Sequence, residues 1–316
     1  MIFLFFDSDR VDFNISKFPA GEIGVSLVSE TDTKLLSSQT VTVFCSFQHT
    51  EEVFVIYSLV DYIRSLSRDV YIVLDIPYFP AARADRDQFF DTISGKVQRY
   101  SFGLKVYSEI IGNLPVDEIR VLDPHSSVLE ALLATKHKKI VVTRMYEIIF
   151  NLIEYIQESY FTDEFLKDST LLLIAPDNGA SKKVLECVAV LKMHGIECEH
   201  TYATKVRSPD GKIIEHRLNN PNIESDKILC LVLDDICDGG ATFIGLANLL
   251  DETFVGKEIR KVLYTSHGLY TKGTNHLMEK YHNLICSNSP NNYEVLFHFT
   301  ETLEKLHSYR TKFFTS

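Results

Sequence analysis

Residues 231–243 read LVLDDICDGGATF, where an apolar segment leads directly into acidic residues and glycines. The predicted strand, 227–233, shows no alternation with polar residues, which is typical of a strand buried on both faces of a parallel sheet. Asp234, Asp235 and Asp238 follow it immediately. Since open α/β sheets bind ligands beyond the carboxyl ends of their strands, the run predicts a ligand site at this edge.

Each part of the run suits a sugar phosphate. Gly239 and Gly240 permit a positive φ and a close backbone approach, and a helix starting near Thr242 would direct N–H groups at an anion. Asp234 and Asp235 are suited to ribose hydroxyls, directly or through Mg²⁺. The alternative is an ordinary strand–turn–helix junction with one aspartate as N-cap. One cap does not account for three carboxylates.

Composition and charge narrow the class of protein. The chain has 316 residues, which suits two domains of about 150 each, and 45% hydrophobic and 24% charged residues, as in soluble globular proteins. Its net charge of −11 argues against a nucleic-acid or anionic-membrane partner. The apolar start, 1–6, stops at Asp7 and predicts a first strand. Six cysteines without metal-site spacing favour reduced thiols and a cytoplasmic location.

Apolar strands alternate with amphipathic helices along the chain, which predicts βαβ units and mainly parallel sheets. The same order recurs in both halves, and a polar-interrupted stretch at 145–170 is expected to hold the crossover between two domains. The predicted strands are 1–6, 41–45, 70–75, 119–122, 139–142, 171–175, 197–203, 227–233 and 260–265, and the predicted helices are 51–67, 94–113, 126–134, 180–194 and 242–252.

A second segment whose residues suit ligand binding is 75–87, DIPYFPAARADRD. Prolines stiffen the exit of a strand, and Arg83 and Arg86 flank Asp85. Guanidinium groups held in this way suit polyphosphate, which they bind bidentately. A solvated charged loop is the alternative interpretation.

Two weaker signals follow strands further along. Asp123 and His125 come at the end of one strand, where an imidazole beside a carboxylate suits a metal or its waters, although an Asp–Pro turn is an equal alternative. Lys205 and Arg207 lie on one side of an extended arm that ends in a turn. Such an arm suits closure over a phosphate, and a solvated hairpin is the alternative.

In order, these segments resemble the motifs of phosphoribosyl-diphosphate (PRPP) synthetases, the ribose-phosphate diphosphokinases. Six family motifs are matched in order. Residues 18–22 (FPAGE) match Phe-Ser-Asp-Gly-Glu, residues 78–86 (YFPAARADR) match Tyr-Phe-Pro-Tyr-Ala-Arg-Gln-Asp-Arg, and residues 123–125 (DPH) match Asp-Leu-His. Residues 175–179 (APDNG) match Ser-Pro-Asp-x-Gly, residues 205–207 (KVR) match Lys-x-Arg, and residues 265–267 (TSH) match Ala-Thr-His. The family's PRPP-binding Asp-Thr-Gly-Gly-Thr is matched by 238–242 (DGGAT). The resemblance spans about 270 residues.

The resemblance implies an α/β fold of two tandem type I phosphoribosyltransferase-like domains, each a mainly parallel sheet flanked by helices. We expect a first domain at 1–147 on the ATP side. A second domain is expected at 148–290, with the ribose-phosphate cradle (residues 234–242) and the catalytic arm that carries Lys205 and Arg207. A segment at 291–316 is expected to pack back on the first domain. The resemblance also implies an ATP-dependent enzyme that moves the β,γ-diphosphoryl group to the anomeric hydroxyl of ribose 5-phosphate and releases AMP.

The resemblance also assigns residues. It implies that Lys205 and Arg207 are catalytic and that Mg²⁺ binds at His125 and Asp177. It implies a homo-oligomer, a dimer or a hexamer, and no other partner protein. Residues implied in ATP binding are Phe18, Glu22, Arg83, Asp85, Arg86 and His125, and those implied in ribose-phosphate binding are Asp234, Asp235, Asp238, Gly239, Gly240, Ala241 and Thr242.

Departures from the family pattern leave the acceptor open. Ala20 and Ala84 replace an acid and a glutamine near the expected nucleotide site, and the cradle lacks one threonine hydroxyl. The chain is similar to a divergent, phage-type branch whose members include ADP-ribose diphosphokinases, so ADP-ribose is the alternative acceptor. A phosphoribosyltransferase would leave Lys205 and Arg207 unexplained. A catalytically silent regulatory subunit is the remaining alternative, although such proteins usually lose the arm or the cradle.

Overall fold

A computed structural model of the chain describes residues 2–7, 9–27, 34–35, 37–91, 96–136, 138–159, 163–207, 213–219 and 223–289. The chain divides into two compact units between Thr143 and Arg144, a few residues before the expected boundary. The segment 291–316, expected to pack on the first domain, lies outside the described residues. No helix in the described ranges is long and apolar enough to cross a membrane.

The first unit is built on a six-stranded sheet whose spatial order is β10-β9-β6-β5-β1-β2. Strands β5, β6, β9 and β10 run parallel, and β1 and β2 add antiparallel pairs at one edge. Two hairpins, β3–β4 and β7–β8, stand apart from this sheet. The strands are β1 Ile2–Phe6, β2 Asp9–Val11, β3 Phe13–Lys17, β4 Ile23–Leu27, β5 Thr40–Cys45, β6 Tyr71–Asp75, β7 Gln88–Asp91, β8 Lys96–Arg99, β9 Glu118–Leu122 and β10 Lys139–Thr143.

Three helices of the first unit pack on one face of this sheet: α1 Glu52–Leu66, α2 Gly103–Gly112 and α3 Val128–Ala134. Alternate strand residues such as Val41, Val43, Ile72 and Leu74 meet them in one apolar cluster. This period-two pattern on the strands, matched to apolar stripes on the helices, forms the core of the first unit.

The second unit is built on a six-stranded sheet in the order β13-β12-β11-β14-β15-β16. All neighbours pair in parallel except β12 and β13, which form an antiparallel hairpin. The strands are β11 Ser169–Ala175, β12 Glu199–Arg207, β13 Ile213–Leu218, β14 Lys227–Cys237, β15 Glu258–Gly268 and β16 Asn283–Asn288. The central strand β14 is buried on both faces along its apolar stretch, as its sequence predicts.

The helices of the second unit are α4 Met145–Ser159, α5 Asp163–Lys167, α6 Ser181–Met193, α7 Ala241–Thr253 and α8 Asn275–Met278. Helices α7 and α8 share an apolar cluster with alternate residues of β14, including Ile228, Cys230 and Val232. Helix α6 contacts β11 and β12 and packs with α4. The expected fold class, mainly parallel sheets flanked by helices, is thus confirmed.

Several predicted elements are wrong in their extent; among them, the strands predicted at 197–203 and 260–265 are Glu199–Arg207 and Glu258–Gly268. The helix predicted at 94–113 begins only at Gly103, because residues 96–99 instead pair with 88–91 as the β7–β8 hairpin. The strand predicted at 227–233 continues to Cys237, because β15 also continues and supplies ladder partners: Asp234 pairs with Thr265 and Cys237 with Gly268. Asp234 and Asp235 therefore lie on the strand, not beyond it.

Other differences concern elements without a clear periodic signal. The stretch 145–170, expected to hold the crossover, is mostly the helices α4 and α5. The sequence does not predict β2, β3, β4, β13 or β16, which are short or lie at sheet edges and in hairpins. Helix α7 begins at Ala241, one residue before the predicted start.

Candidate active site

The site in the second unit forms where two neighbouring parallel strands end. Strands β11 and β14 pair through Ile174 and Val232, so the chain just after β11 and the end of β14 reach the same edge of the sheet. This brings Asp177 near Asp234, and the two carboxylates interact electrostatically. The structure therefore brings together two sequence motifs, 175–179 and 234–242, that lie more than fifty residues apart.

The adjacent carboxylates of Asp234 and Asp235 form the acidic centre. The backbone N–H of Asp235 donates to Asp234 Oδ1 at 2.9 Å, and Asp235 is buried while Asp234 is half-buried. Burial, the neighbouring Asp235 and then Asp177 raise the pKa of Asp234 well above its ordinary value. A cation or a hydroxyl donor at this point would relieve the crowding of negative charge.

Asp177 is fixed by the turn that starts helix α6. Its Oδ1 accepts the backbone N–H of Gly179 at 2.9 Å and of Ala180 at 3.4 Å. These bonds orient the carboxylate, as side-chain oxygens do at helix starts. The half-buried Asp177 is thus held at the same edge as Asp234.

Lys183, which belongs to none of the sequence motifs, has its Nζ 3.9 Å from Asp235 Oδ2. It belongs to the first turn of α6. A lysine in the first turn opposes the positive end of the helix dipole, and this was the signal that could have singled it out. It brings one positive charge to the acidic centre.

The glycine turn has the conformation that its sequence predicts. Gly240 has φ +79° and precedes α7, whose start has no side-chain cap. A Cβ at this position would come within 2.8 Å of His276 Nε2 and 3.1 Å of Leu277 Cδ2. Only glycine therefore fits, and the turn leaves the start of α7 to be satisfied by something other than a capping side chain.

A second loop, 268–276, which the sequence analysis did not assign to the site, encloses the glycine turn. Its backbone N–H groups at Leu269 and Tyr270 donate to Cys237 O at 2.8 and 3.1 Å. Thr271 Oγ1 donates to Asp238 Oδ1 at 2.6 Å, and His276 Nε2 donates to Gly239 O at 3.2 Å. These bonds fix Asp238 and Gly239.

The same loop places a cation beside the turn. The stem of Lys272 lies in van der Waals range of Gly239, with Cδ and Cε 3.5 Å from the place a Cβ would occupy. Lys272 is exposed, so its ammonium group can contact solvent or a ligand. The wall of the cradle thus combines a glycine, the start of a helix and a lysine.

Cys237 lies in this region but is not placed to be a nucleophile. It is fully buried, and burial raises the pKa of its thiol to about 12. A thiol with so high a pKa carries almost no thiolate at neutral pH. Cys237 is instead a packing residue in the apolar cluster that β14 shares with α7 and α8.

The arm that carries Lys205 and Arg207 extends from the same sheet edge. Strand β12 pairs with β11 as far as Tyr202 and continues with β13 alone, where the register shifts between Val206 and Arg207. Lys205 and Arg207 lie about 10 and 17 Å further along the strand. Their backbone is described and their side chains are not, so their catalytic role stays a prediction.

In the first unit, five of the six expected ATP-binding residues lie on two loops, and the sixth, His125, follows strand β9. Phe18 and Glu22 flank the β3–β4 turn, where the N–H of Phe18 donates to Glu22 O at 2.8 Å. Arg83 and Arg86 are exposed beyond β6, and Arg86 Nε lies 3.3 Å from Asp85 Oδ1. The geometry leaves both loops open to a ligand, and their role in ATP binding stays a prediction.

Ala84, which replaces a glutamine of the family motif, is part of a close contact. A Cβ added at Gly103, the first residue of α2, would lie 3.3 Å from Ala84 Cβ and 3.2 Å from Ala81 Cβ. Ala81 itself has φ +55°. Small side chains at these positions let the loop lie directly on the start of α2.

Asp123 and His125 follow strand β9. Asp123 is buried with φ +35°, and its N–H donates to Thr143 O at 2.7 Å, whereas His125 is exposed.

Asp75, at the end of the neighbouring β6, was noted in the sequence only as the end of a strand. Burial raises its pKa to about 7, an effect that Arg120 partly opposes.

Comparison with known proteins supports the resemblance. No protein-family model matches the chain. It is 24% identical over 279 residues to the ribose-phosphate pyrophosphokinase of Maricaulis maris (strain MCS10), covering 87% of this chain and 78% of that protein. It also matches the crystal structure of phosphoribosylpyrophosphate synthetase from Mycobacterium smegmatis, with a TM-score of 0.67 and 17% identity, over 98% of this chain and 93% of that one.

The structural match defines the fold as a tandem phosphoribosyltransferase-type α/β fold. The sequence match relates the same chain to ribose-phosphate pyrophosphokinases over most of its length. The resemblance to a phage-type branch stays a prediction, as do the individual site residues.

Proposed function

We propose that this protein is an ATP-dependent diphosphokinase that transfers the β,γ-diphosphoryl group of ATP to the anomeric hydroxyl of ribose 5-phosphate, giving PRPP and AMP. One observation carries the proposal: Asp177, Asp234 and Asp235 meet at one sheet edge, beside a glycine turn that leads into an uncapped helix. Carboxylates for sugar hydroxyls and a helix start for a phosphate are the two parts that a ribose phosphate needs. The names of the similar proteins support the same reaction.

On the acceptor side, Asp234 and Asp235 would accept hydrogen bonds from the 2- and 3-hydroxyls and so orient O1. The 5-phosphate would lie at the start of α7, where residues 238–242 surround it with backbone N–H groups and the Thr242 hydroxyl. The bond from Thr271 to Asp238 and that from His276 to Gly239 would keep this turn preorganised, which lowers the entropy cost of binding.

On the donor side, Arg83, Arg86 and His125 would contact the ATP phosphates, and Phe18, Glu22 and Asp85 the remainder of the nucleotide. O1 would attack the β-phosphorus in line with departing AMP. Since charge in a loose phosphoryl-transfer transition state spreads over the phosphoryl oxygens, positioning and cations carry most of the catalysis. Lys205 and Arg207 would supply that charge, and no covalent nucleophile is required.

Mg²⁺ fits this site as an ion held jointly by protein side chains and substrate phosphates. Among the described residues, no group of three or more His, Cys, Asp or Glu side chains is arranged to hold a metal ion alone. Mg²⁺ characteristically takes one or two carboxylates and completes its shell with water and substrate phosphates, and the acidic crowding around Asp234 suits a cation. Asp177 is the proposed protein ligand of Mg²⁺ in the second unit, and His125 is a separately proposed one in the first unit. Bound Mg²⁺ would neutralise charge on the transferred phosphates.

ADP-ribose is the second candidate acceptor, giving ADP-ribose 1-diphosphate in a route that rebuilds NAD. Two observations favour it: the cradle has glycine at position 239, and the exposed Lys272 lies directly beside that glycine. A lysine at this place suits a second phosphate beyond the first. The reacting O1 would be the same, so the same catalytic residues would serve both acceptors.

We also propose that copies of this chain form a homo-oligomer, as in similar enzymes.

The test is to incubate the purified full-length chain with ATP and Mg²⁺, offer ribose 5-phosphate or ADP-ribose separately, and measure AMP by chromatography. AMP that depends on ribose 5-phosphate supports the first acceptor, and AMP that depends only on ADP-ribose favours the second. AMP from neither would favour the silent-subunit alternative. Asp234→Asn with Asp235→Asn is the matched control, because it keeps the shape and removes the charge.

A further inference from the structure

We propose that Lys183 is a positioning residue for the sugar acceptor, holding the acidic pair of Asp234 and Asp235 in the orientation that ribose hydroxyls require. The inference rests on the proposed function and adds to it a residue that none of the sequence motifs includes. Its basis is the contact of Lys183 Nζ with Asp235 Oδ2 at 3.9 Å.

Lys183 lies at the end of its helix where a positive charge is unfavourable. Helix α6 begins at Ser181 and carries no acidic residue in its first turn, but it carries Lys182 and Lys183 there. The start of a helix is its positive end and favours acids, so a lysine at this point is not explained by the stability of the helix. An acidic centre facing that turn does explain it.

Lys183 and Asp235 are both largely shielded from water. The side chain of Asp235 is 9% exposed and that of Lys183 is 21% exposed, so the interaction is only weakly screened by water. A buried carboxylate next to a second carboxylate needs a countercharge. Lys183 provides one from the protein itself.

The distance between Lys183 Nζ and Asp235 Oδ2 leaves the carboxylate able to contact a ligand. At 3.9 Å the ammonium and carboxylate groups attract each other but lie further apart than a close hydrogen bond. Lys183 can therefore balance charge at Asp235 while Asp235 accepts a hydrogen bond from a sugar hydroxyl. This separates its role from that of a group that contacts the reacting atoms.

The neighbouring lysine supplies a matched control. Lys182 is 88% exposed and lies 3.8 Å from Glu186, one turn along the same helix. Lys182→Met removes the same charge from the same turn without touching the acidic centre. Any effect of net charge or of helix stability should be common to Lys182→Met and Lys183→Met.

The experiment measures KM for ribose 5-phosphate, KM for ATP and kcat in the wild type, Lys183→Met, Lys183→Gln, Lys183→Arg and Lys182→Met. Lys183→Met and Lys183→Gln should raise KM for ribose 5-phosphate about tenfold or more and change KM for ATP less than about twofold. Lys183→Arg should restore most of the loss, and Lys182→Met should match the wild type. An unchanged KM for ribose 5-phosphate in Lys183→Met, or an equal effect of Lys182→Met, would overturn the proposal.

A binding measurement separates this proposal from the proposed function. Calorimetric titration of ribose 5-phosphate into the same variants without ATP requires no turnover. Failure of the wild type to release AMP would contradict the proposed function, yet weaker binding to Lys183→Met than to Lys182→Met would still support the role of Lys183. Equal binding to those two variants, or no binding to the wild type, would overturn it.

Discussion

Gly240→Ala should disrupt the start of helix α7 more than a simple glycine substitution would. At φ +79°, an alanine costs about 1–2 kcal/mol in the left-handed region. Its Cβ would also meet His276 Nε2 at 2.8 Å and Leu277 Cδ2 at 3.1 Å. Moving His276 gives up its bond to Gly239 O, about 0.5–1.5 kcal/mol, and displacing the fully buried Leu277 costs about 1–3 kcal/mol.

The expected destabilisation is therefore about 2.5–6.5 kcal/mol, a large part of the roughly 5–15 kcal/mol by which proteins are stable. Urea unfolding monitored by circular dichroism measures it, and KM for ribose 5-phosphate should rise in parallel because the turn forms the cradle. We expect the variant to fold only at low denaturant concentrations.

Two glycines provide the controls. Gly256 has φ +86° with nothing within 4 Å of its Cβ position, so Gly256→Ala isolates the backbone cost. Gly239→Ala places a methyl group in the same turn at an ordinary 3.5 Å from Lys272. If Gly240→Ala were no more destabilising than Gly256→Ala, the argument from His276 and Leu277 would be refuted.

Three further predictions concern charge. Lys205→Ala and Arg207→Ala should each lower kcat by about 10³ with little change in stability, the scale of removing a transition-state cation, and near-normal turnover in both would contradict their assignment. Lys272→Met should raise KM for the acceptor about two- to fivefold. The increase in KM should be smaller at high salt, because the lysine is exposed and its charge is screened. An equal increase at all salt concentrations would exclude a simple charge contact. Asp75 has a folded pKa of about 7, above the roughly 3.9 of the unfolded chain, so its contribution to stability is present below about pH 4 and is lost as the pH rises through 7. Asp75→Asn should therefore raise the midpoint of thermal unfolding relative to the wild type increasingly from pH 4 to pH 8, and a difference independent of pH would contradict the pKa.

The second-unit core and the cradle were predictable because their signals are local. The apolar run of β14, the glycine turn and the start of α7 are contiguous in sequence, and a strand buried on both faces needs an unbroken apolar segment. The conformation of Gly240 also follows from local sequence, since a tight turn before a helix requires glycine.

The missed features depend on contacts between distant parts of the chain. Strand β14 continues through Asp234 because β15 supplies its partners, and no property of residues 234–237 alone predicts that. Lys183 reaches Asp235 across fifty-two positions of sequence. Strand β8 was interpreted as the beginning of a helix because its four residues are too few to show a clear alternation, and only its pairing with β7 identifies it as a strand.

The loop at 268–276 was missed for a similar reason. Only the preceding residues 265–267 match a family motif, whereas the contacts of the loop with Cys237, Asp238 and Gly239 arise because β15 runs parallel to β14 and ends at the same sheet edge. Side chains that support a site from a neighbouring strand end carry no local periodic signal.

The most direct test of the proposed reaction follows the phosphorus atoms of ATP. Phosphorus NMR of the full-length chain with ATP, Mg²⁺ and ribose 5-phosphate should show a new diphosphate linked to C1 of the sugar and an equal amount of AMP. ADP together with a sugar that gains a single phosphate would contradict diphosphoryl transfer.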